Sequence, residues 1–245
     1  MRVLALDTTT RAGSLALVDN CRILEERSGD PSRTHAERLP GEILALVERQ
    51  GLALSDVDVF AVAAGPGSFT GLRIGIATIQ GLAFATGRPV VAVSALGVLA
   101  QIASAELPQG ALVAAWMDAH RRDVYAALYR VGAAPVFEPE RLREIDRPTV
   151  GDPGRMLARW AEHAGETTTW FVGDGALLYA ETIRAAGASQ EHILPTPLLA
   201  GAIGRIAVAI ARRGDALTPG AVRPLYVRRP DAEIDRDKKN RSLNP

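Results

Sequence analysis

Residues 57–94 read "VDVFAVAAGPGSFTGLRIGIATIQGLAFATGRPVVAVS". The opening run, "VDVFAVAAG" (57–65), is apolar without alternation, the pattern of a strand covered on both faces in a parallel sheet. "GPGSFTGLRIG" (65–75) turns out of that strand into a helix, and "PVVAVS" (89–94) is a second buried strand. Strand, glycine-rich turn, helix and strand together make an α/β unit. A glycine-rich turn that opens a helix is also where many proteins hold a phosphate. What these glycines serve therefore bears on function as well as fold.

Upstream, "RVLALDT" (2–8), "GSLALVD" (13–19) and "CRILEER" (21–27) read as three strands of an antiparallel meander, with Asp19-Asn20 as a two-residue turn. "THAERLPGEILALVERQ" (34–50) reads as a helix opened by a Thr34/Glu37 capping box and bent slightly by Pro40. Ala36, Leu39, Ile43, Leu46, Val47 and Gln50 fall along one face of it. The order βββαβαβ describes a mixed sheet of the ribonuclease H kind. The second half begins again: "VAAWMDAHRRDVYAALY" (113–129) mirrors "VLALDTTTRAGSLALV" (3–18), making Asp7 and Asp118 equivalent. A strand at "TWFVGDG" (169–175), a helix over about 177–186 and a last helix over 197–214 follow. The expected fold is α/β, two ribonuclease H-like lobes with the architecture of actin-like ATPases. The expected division is residues 1–107, residues 108–230, and a charged tail over 231–245.

Twenty-eight basic residues balance 28 acidic ones, which argues against an autonomous binder of nucleic acid, since such affinity comes from neutralising phosphates. From Arg205 onward, however, ten basic residues face five acidic ones. "RRPDAEIDRDKKNRSLNP" (228–245) has too few apolar residues to order itself from about Asp231. Two readings of this end stand: a solvated tail, or a basic segment in which Arg223, Arg228, Arg229, Lys238 and Lys239 hold a nucleic acid or an acidic partner. Cys21 is the single cysteine, so there is no disulfide framework, and a small buried strand residue is the expected reading. The N-terminal apolar stretch is too short for a signal peptide and "IGIATIQGLAFATG" (74–87) too short to span a bilayer. The expected location is the cytoplasm, away from membranes.

The chemical candidates fail one by one. A P-loop needs lysine where Leu72 stands, and the chain's lysines are Lys238 and Lys239. A nucleophile elbow needs glycines where Pro66 and Thr70 flank Ser68; Ser68 reads as a helix cap. Actin-like ATPases place glycine directly after the strand-end aspartates so that amides approach phosphate. Here Asp7 precedes three threonines, and Asp118 precedes Ala119-His120. With "GDGA" (173–176), whose Gly173 and Gly175 could be a remnant of an adenosine-binding turn, these residues make a degenerate cleft. His35, His120, His163 and His192 lack metal-ligand spacing. No catalytic residue, cofactor or metal is expected.

Gly71, Gly75 and Gly81 each cost the helix about 1 kcal/mol relative to alanine, so close packing should compensate. Gly71, Gly75 and Thr78 share a face, expected to admit a helix of another chain. Leu39, Ile43, Leu46, Val47, Gly71, Ile74, Gly75 and Thr78 form the expected partner interface.

"LALDTTT", "THAERLPGEI", the whole segment from "GPGSFTG" to "ALGVLA", "MDAHRRDVYAALY" and "RPLYVRRP" together resemble the TsaB (YeaZ) family. The resemblance runs through essentially the whole chain. It implies a non-catalytic dimerisation subunit for threonylcarbamoyl transfer to N6 of an adenosine in tRNA. It further implies a four-helix bundle with the catalytic paralogue TsaD, contact with the ATPase TsaE through that complex, a homodimer when alone, and tRNA met only through the complex. In TsaD the strand after this helix leads into His-x-x-x-His, two metal ligands; the corresponding positions here are Ala95 and Leu99. The alternatives are an autonomous ATPase or small-molecule kinase of the actin-like fold and, further off, a metallopeptidase.

Overall fold

The computed structural model describes residues 1–165 and 167–228. The N-terminal half contains β1 (Arg2–Asp7), β2 (Ser14–Asp19), β3 (Arg22–Ser28), α1 (His35–Arg49), β4 (Val59–Gly65), α2 (Phe69–Thr86), β5 (Val90–Ser94) and α3 (Ala95–Ala103). The second half contains β6 (Leu112–Asp118), β7 (Val124–Val131), β8 (Leu142–Gly151), α4 (Pro153–Ala164), β9 (Thr169–Val172), α5 (Asp174–Leu178), α6 (Ala180–Ala185), β10 (Ile193–Leu194) and α7 (Ala200–Arg212). The strands form two five-stranded sheets, β3-β2-β1-β4-β5 and β10-β9-β6-β7-β8. In each, the first strand pairs antiparallel with its hairpin partner and parallel with the strand after a helix. These are two ribonuclease H-like lobes in which β6 repeats β1, so Asp7 and Asp118 end equivalent strands.

Alternation divides the first sheet into two unlike faces. Leu4, Leu6, Leu15, Leu17, Phe60 and Val62 point toward α1 and α2 and meet Leu39, Ile43, Leu46, Val47, Ile76 and Ile79. Val3, Ala5, Ala16, Val18, Ala61 and Ala63 point the other way, toward α3 and α7. The alanines make that second face shallow, and α7 lies close on it: a Cβ at Gly204 would stand 2.5 Å from Val18 Cγ2 and 3.5 Å from Ala5 Cβ. The N-terminal amides of α7 are also held from this sheet. Ser14 Oγ accepts from Ala200 N at 3.1 Å, and Glu26 Oε1 accepts from Gly201 N at 2.7 Å. The chain thus returns to the first lobe after β10, so a second lobe running unbroken over 108–230 does not describe the packing.

Local details differ from the sequence reading. The β2–β3 hairpin turns at Asn20-Cys21, with Asp19 paired to Arg22, which leaves Cys21 exposed rather than buried. β8 and α4 are elements additional to those expected, and the helix expected over 177–186 is two short helices broken at Tyr179. The Thr34/Glu37 capping box and Pro40 inside α1 are as expected. The charged tail over 231–245, with Arg229, Lys238 and Lys239, lies outside the described residues.

Candidate functional site

The turn from β4 to α2 is stitched to the end of β1. Ser68 N donates to Thr9 O at 2.8 Å, and Ser68 Oγ caps the helix by accepting from Gly71 N at 3.2 Å. A Cβ at Gly67 would lie 2.5 Å from Thr9 Cβ, while a Cβ at Gly71 or Gly75 would overlap Thr8 O or Thr8 Oγ1. These glycines let the first two turns of α2 sit directly on the Thr8-Thr9 backbone. They face the chain's own strand end, not a neighbouring helix, which corrects the expectation for Gly71 and Gly75.

The strand-end aspartates are likewise engaged within the chain. Asp7 is buried, and its Oδ1 accepts from Thr9 N at 2.9 Å and Thr9 Oγ1 at 2.6 Å. Burial pushes its carboxyl above the usual carboxylate range despite those two hydrogen bonds, and nearby Asp174 adds to the rise. Half-buried Asp118 accepts from His120 N at 2.8 Å, and His120 Nδ1 lies 3.0 Å from its Oδ2. Asp174 Oδ1 accepts from Asp118 N at 3.1 Å and Gly175 N at 2.8 Å, and burial raises its carboxyl too. A Cβ at Gly173 would overlap Trp116 O, and one at Gly175 would stand 2.8 Å from Met117 C. Both glycines are therefore close-packing positions for α5 on β6.

Between the lobes lies a cleft of about 910 Å3 whose walls include Thr10, Arg11, Arg33, Phe69, Asp118 and His120. Asp7 and Asp174 line a smaller neighbouring cavity of about 150 Å3. Hydroxyls and arginines could receive a small polar anion here. Among the described residues, no three His, Cys, Asp or Glu side chains gather as a metal site, and no helix is long and apolar enough to cross a membrane. His35 Nε2 lies 3.0 Å from Thr10 O and its Nδ1 2.7 Å from Arg38 Nη2, so it fixes the loop after β1 to α1.

The expected interface residues divide. Leu39, Ile43, Leu46 and Val47 are at most 2% exposed and belong to the first lobe's core; Ile74 and Thr78 are half-buried. The outward surface of α1 and α2 is a different set: Pro40, Leu44, Ala77, Gly81 and Phe84. Leu44 is 48% exposed and Phe84 67%. A Cβ at Gly41 or Gly81 would meet nothing within 4 Å. On these two helices periodicity picks out the core-facing side. An exposed phenylalanine beside small residues was the signal for the other side.

Basic residues assigned to the C-terminal end are also engaged. Arg228 pairs with Asp123 and donates to Ala119 O at 2.6 Å, and Arg223 donates to Gly220 O at 2.6 Å.

A family model described as TsaD, tRNA N6-adenosine threonylcarbamoyltransferase, matches residues 29–202. The tRNA threonylcarbamoyladenosine biosynthesis protein TsaB of Escherichia coli is 31% identical, over 93% of this chain and 95% of its own length. TsaB of Bacillus subtilis is 30% identical over 75% of each chain. The solved structure of YeaZ from Pseudomonas aeruginosa superposes with a TM-score of 0.71 at 33% identity, covering 92% of this chain and 99% of that one.

Proposed function

The chain belongs to the TsaB family and takes part in threonylcarbamoyladenosine biosynthesis in tRNA; on that premise we propose that it acts there as a non-catalytic subunit. Its role is to present the outer face of α1 and α2 to a paralogous transferase, TsaD, with a second copy of itself taking that place when the partner is missing. Contact with TsaE and with tRNA then follows through the complex.

The observation that carries this reading is a pairing of two conditions. The strand-end aspartates, which would serve phosphate or metal chemistry, are tied into their own turns by Thr9 and His120. The most exposed aromatic side chain among the described residues, Phe84, instead stands on α2 beside Ala77 and Gly81, where another helix could approach closely. Exposing such a face is unfavourable by roughly 25 cal/mol per Å2 of apolar surface, so covering it favours association.

Co-purification with the transferase, followed by modification assays with each subunit omitted, tests the proposal. The expected result is a stable complex, with no product from this chain alone. The cleft keeps one competing reading open, an autonomous nucleotide-using enzyme. Calorimetry that finds a one-to-one ATP site of low-micromolar affinity on the isolated chain would favour it instead.

A further inference from the structure

After a single helical turn at Pro219–Ala221, the described chain runs from the first lobe to the second. Val222 is buried in the core beneath α1 and α2. Leu225 N donates to Ala64 O at 2.7 Å, at the end of β4. Tyr226 stacks on Phe69 with ring centroids 5.1 Å apart, and its hydroxyl accepts from Arg73 Nε at 3.0 Å. Phe69 and Arg73 belong to the first turns of α2, and the Arg73 guanidinium lies 4.0 Å over the Phe69 ring. Two residues later, Arg228 reaches the second lobe, bonding Ala119 O and pairing with Asp123 in the turn between β6 and β7. Leu225, Tyr226, Val227 and Arg228 all line the interlobe cleft.

The lobes are therefore joined in unlike ways. Along the strand bodies, α3 packs Leu96, Val98 and Leu99 into one apolar core shared by Val3 and Ala5 of the first sheet and Val113 and Ala115 of the second. At the strand ends the chain crosses between the lobes twice: from β10 into α7, anchored by buried Leu199 and by Ser14 Oγ, and again through this short C-terminal segment. That segment is held by a few polar contacts and by Tyr226, which is 42% exposed. Elements with few buried apolar contacts open at lower free energy than a packed core.

We propose that Leu225–Arg228 is a releasable latch across the cleft: engaged, it fixes the separation of the lobes at the strand ends; released, it lets them pivot about α3 and opens the cleft. Because the latch grips Phe69 and Arg73, a protein docked on the outer face of α2 acts on the same helix that holds the latch. That link to a partner rests on the docking reading above, whereas the latch itself is measured without a partner.

The test uses the full-length chain in a Cys21→Ser background, with spin labels at Ser32→Cys on the first lobe's rim and Leu178→Cys on the second lobe. Interlobe distances and exchange of the Leu225 amide are compared between the parent and Arg228→Ala, with Asp123→Asn as the gentler variant should Arg228→Ala fail to fold. The expected result is a shift and broadening of the distances to longer values, with exchange of the Leu225 amide accelerated about tenfold or more. Unchanged distances overturn the latch, whether or not the Leu225 amide exchanges faster, because the segment would then fray without holding the lobes.

Discussion

Two glycines on one helix make opposite demands on their surroundings. A Cβ at Gly75 would overlap Thr8 Oγ1, an atom buried without a partner, so Gly75→Ala is expected to destabilise the chain by about 1–3 kcal/mol through overpacking. Gly81 meets nothing within 4 Å, and Gly81→Ala should stabilise the monomer by about 0.5–1 kcal/mol through helix propensity. Denaturant unfolding of both variants at monomeric concentration checks the pair; equal signs would contradict the packing described. His35 supplies a pH test. Burial, and secondly the Arg38 guanidinium, depress its proton affinity, so the folded ring stays neutral where the unfolded ring, near 6.5, takes up a proton. This contribution is present above about pH 6.5 and is lost as pH falls toward the depressed folded value. The stability lost between pH 7.5 and 5.5 should therefore shrink in His35→Gln, measured by urea midpoints; an identical loss would remove His35 from the account. Sequence could place Ser68 as a cap and Thr34 with Glu37 as a capping box, because those are contacts over three residues. It could not show that Gly71 and Gly75 face Thr8, more than sixty positions away in the chain.

At the level of elements, α1 and α2 were legible as helices, yet the side each turns outward was not. The apolar stripe of α1 is its core face, and α2 is apolar nearly all round, so periodicity cannot separate the side on the sheet from the side in solvent. The consequence is a pair of contrasting substitutions. Ile43→Asp or Val47→Asp buries an uncompensated charge and should unfold the first lobe, at a cost of about 4 kcal/mol or more. Leu44→Asp or Phe84→Asp places the charge on the exposed side and should leave the melting temperature within a few degrees while abolishing association. Circular dichroism melts and light scattering distinguish the two outcomes. Elsewhere, α4 had an available signal, Asp152 capping Arg155 N with Pro153 in the first turn, ahead of an amphipathic run. β8 had little: its ten residues carry Pro148 and mostly half-exposed side chains, as suits an edge strand.

For the whole molecule, the internal repeat was readable because each lobe opens with an apolar strand ending in aspartate, a polar turn and an alternating strand. The return of α7 to the first sheet was not, since chain order does not tell which sheet a late helix covers. Gly204 opposite Val18 and Ala5, with Gly201 opposite Ile23 and Glu26 of β3, are the matching surfaces, recognisable once both are in view. Two lobes sharing a core through α3 and closed by the C-terminal segment make a scaffold of enzyme form whose strand-end carboxylates serve its own turns. The proposed use of that scaffold is to hold a transferase through α1 and α2. The most direct measurement is threonylcarbamoyladenosine formation on tRNA by the purified transferase, with this chain either absent, added as wild type, or added as Phe84→Asp. Product is expected only with the wild-type chain, and none from the chain without the transferase. Full activity with a folded Phe84→Asp chain, or product from the isolated chain, would contradict it.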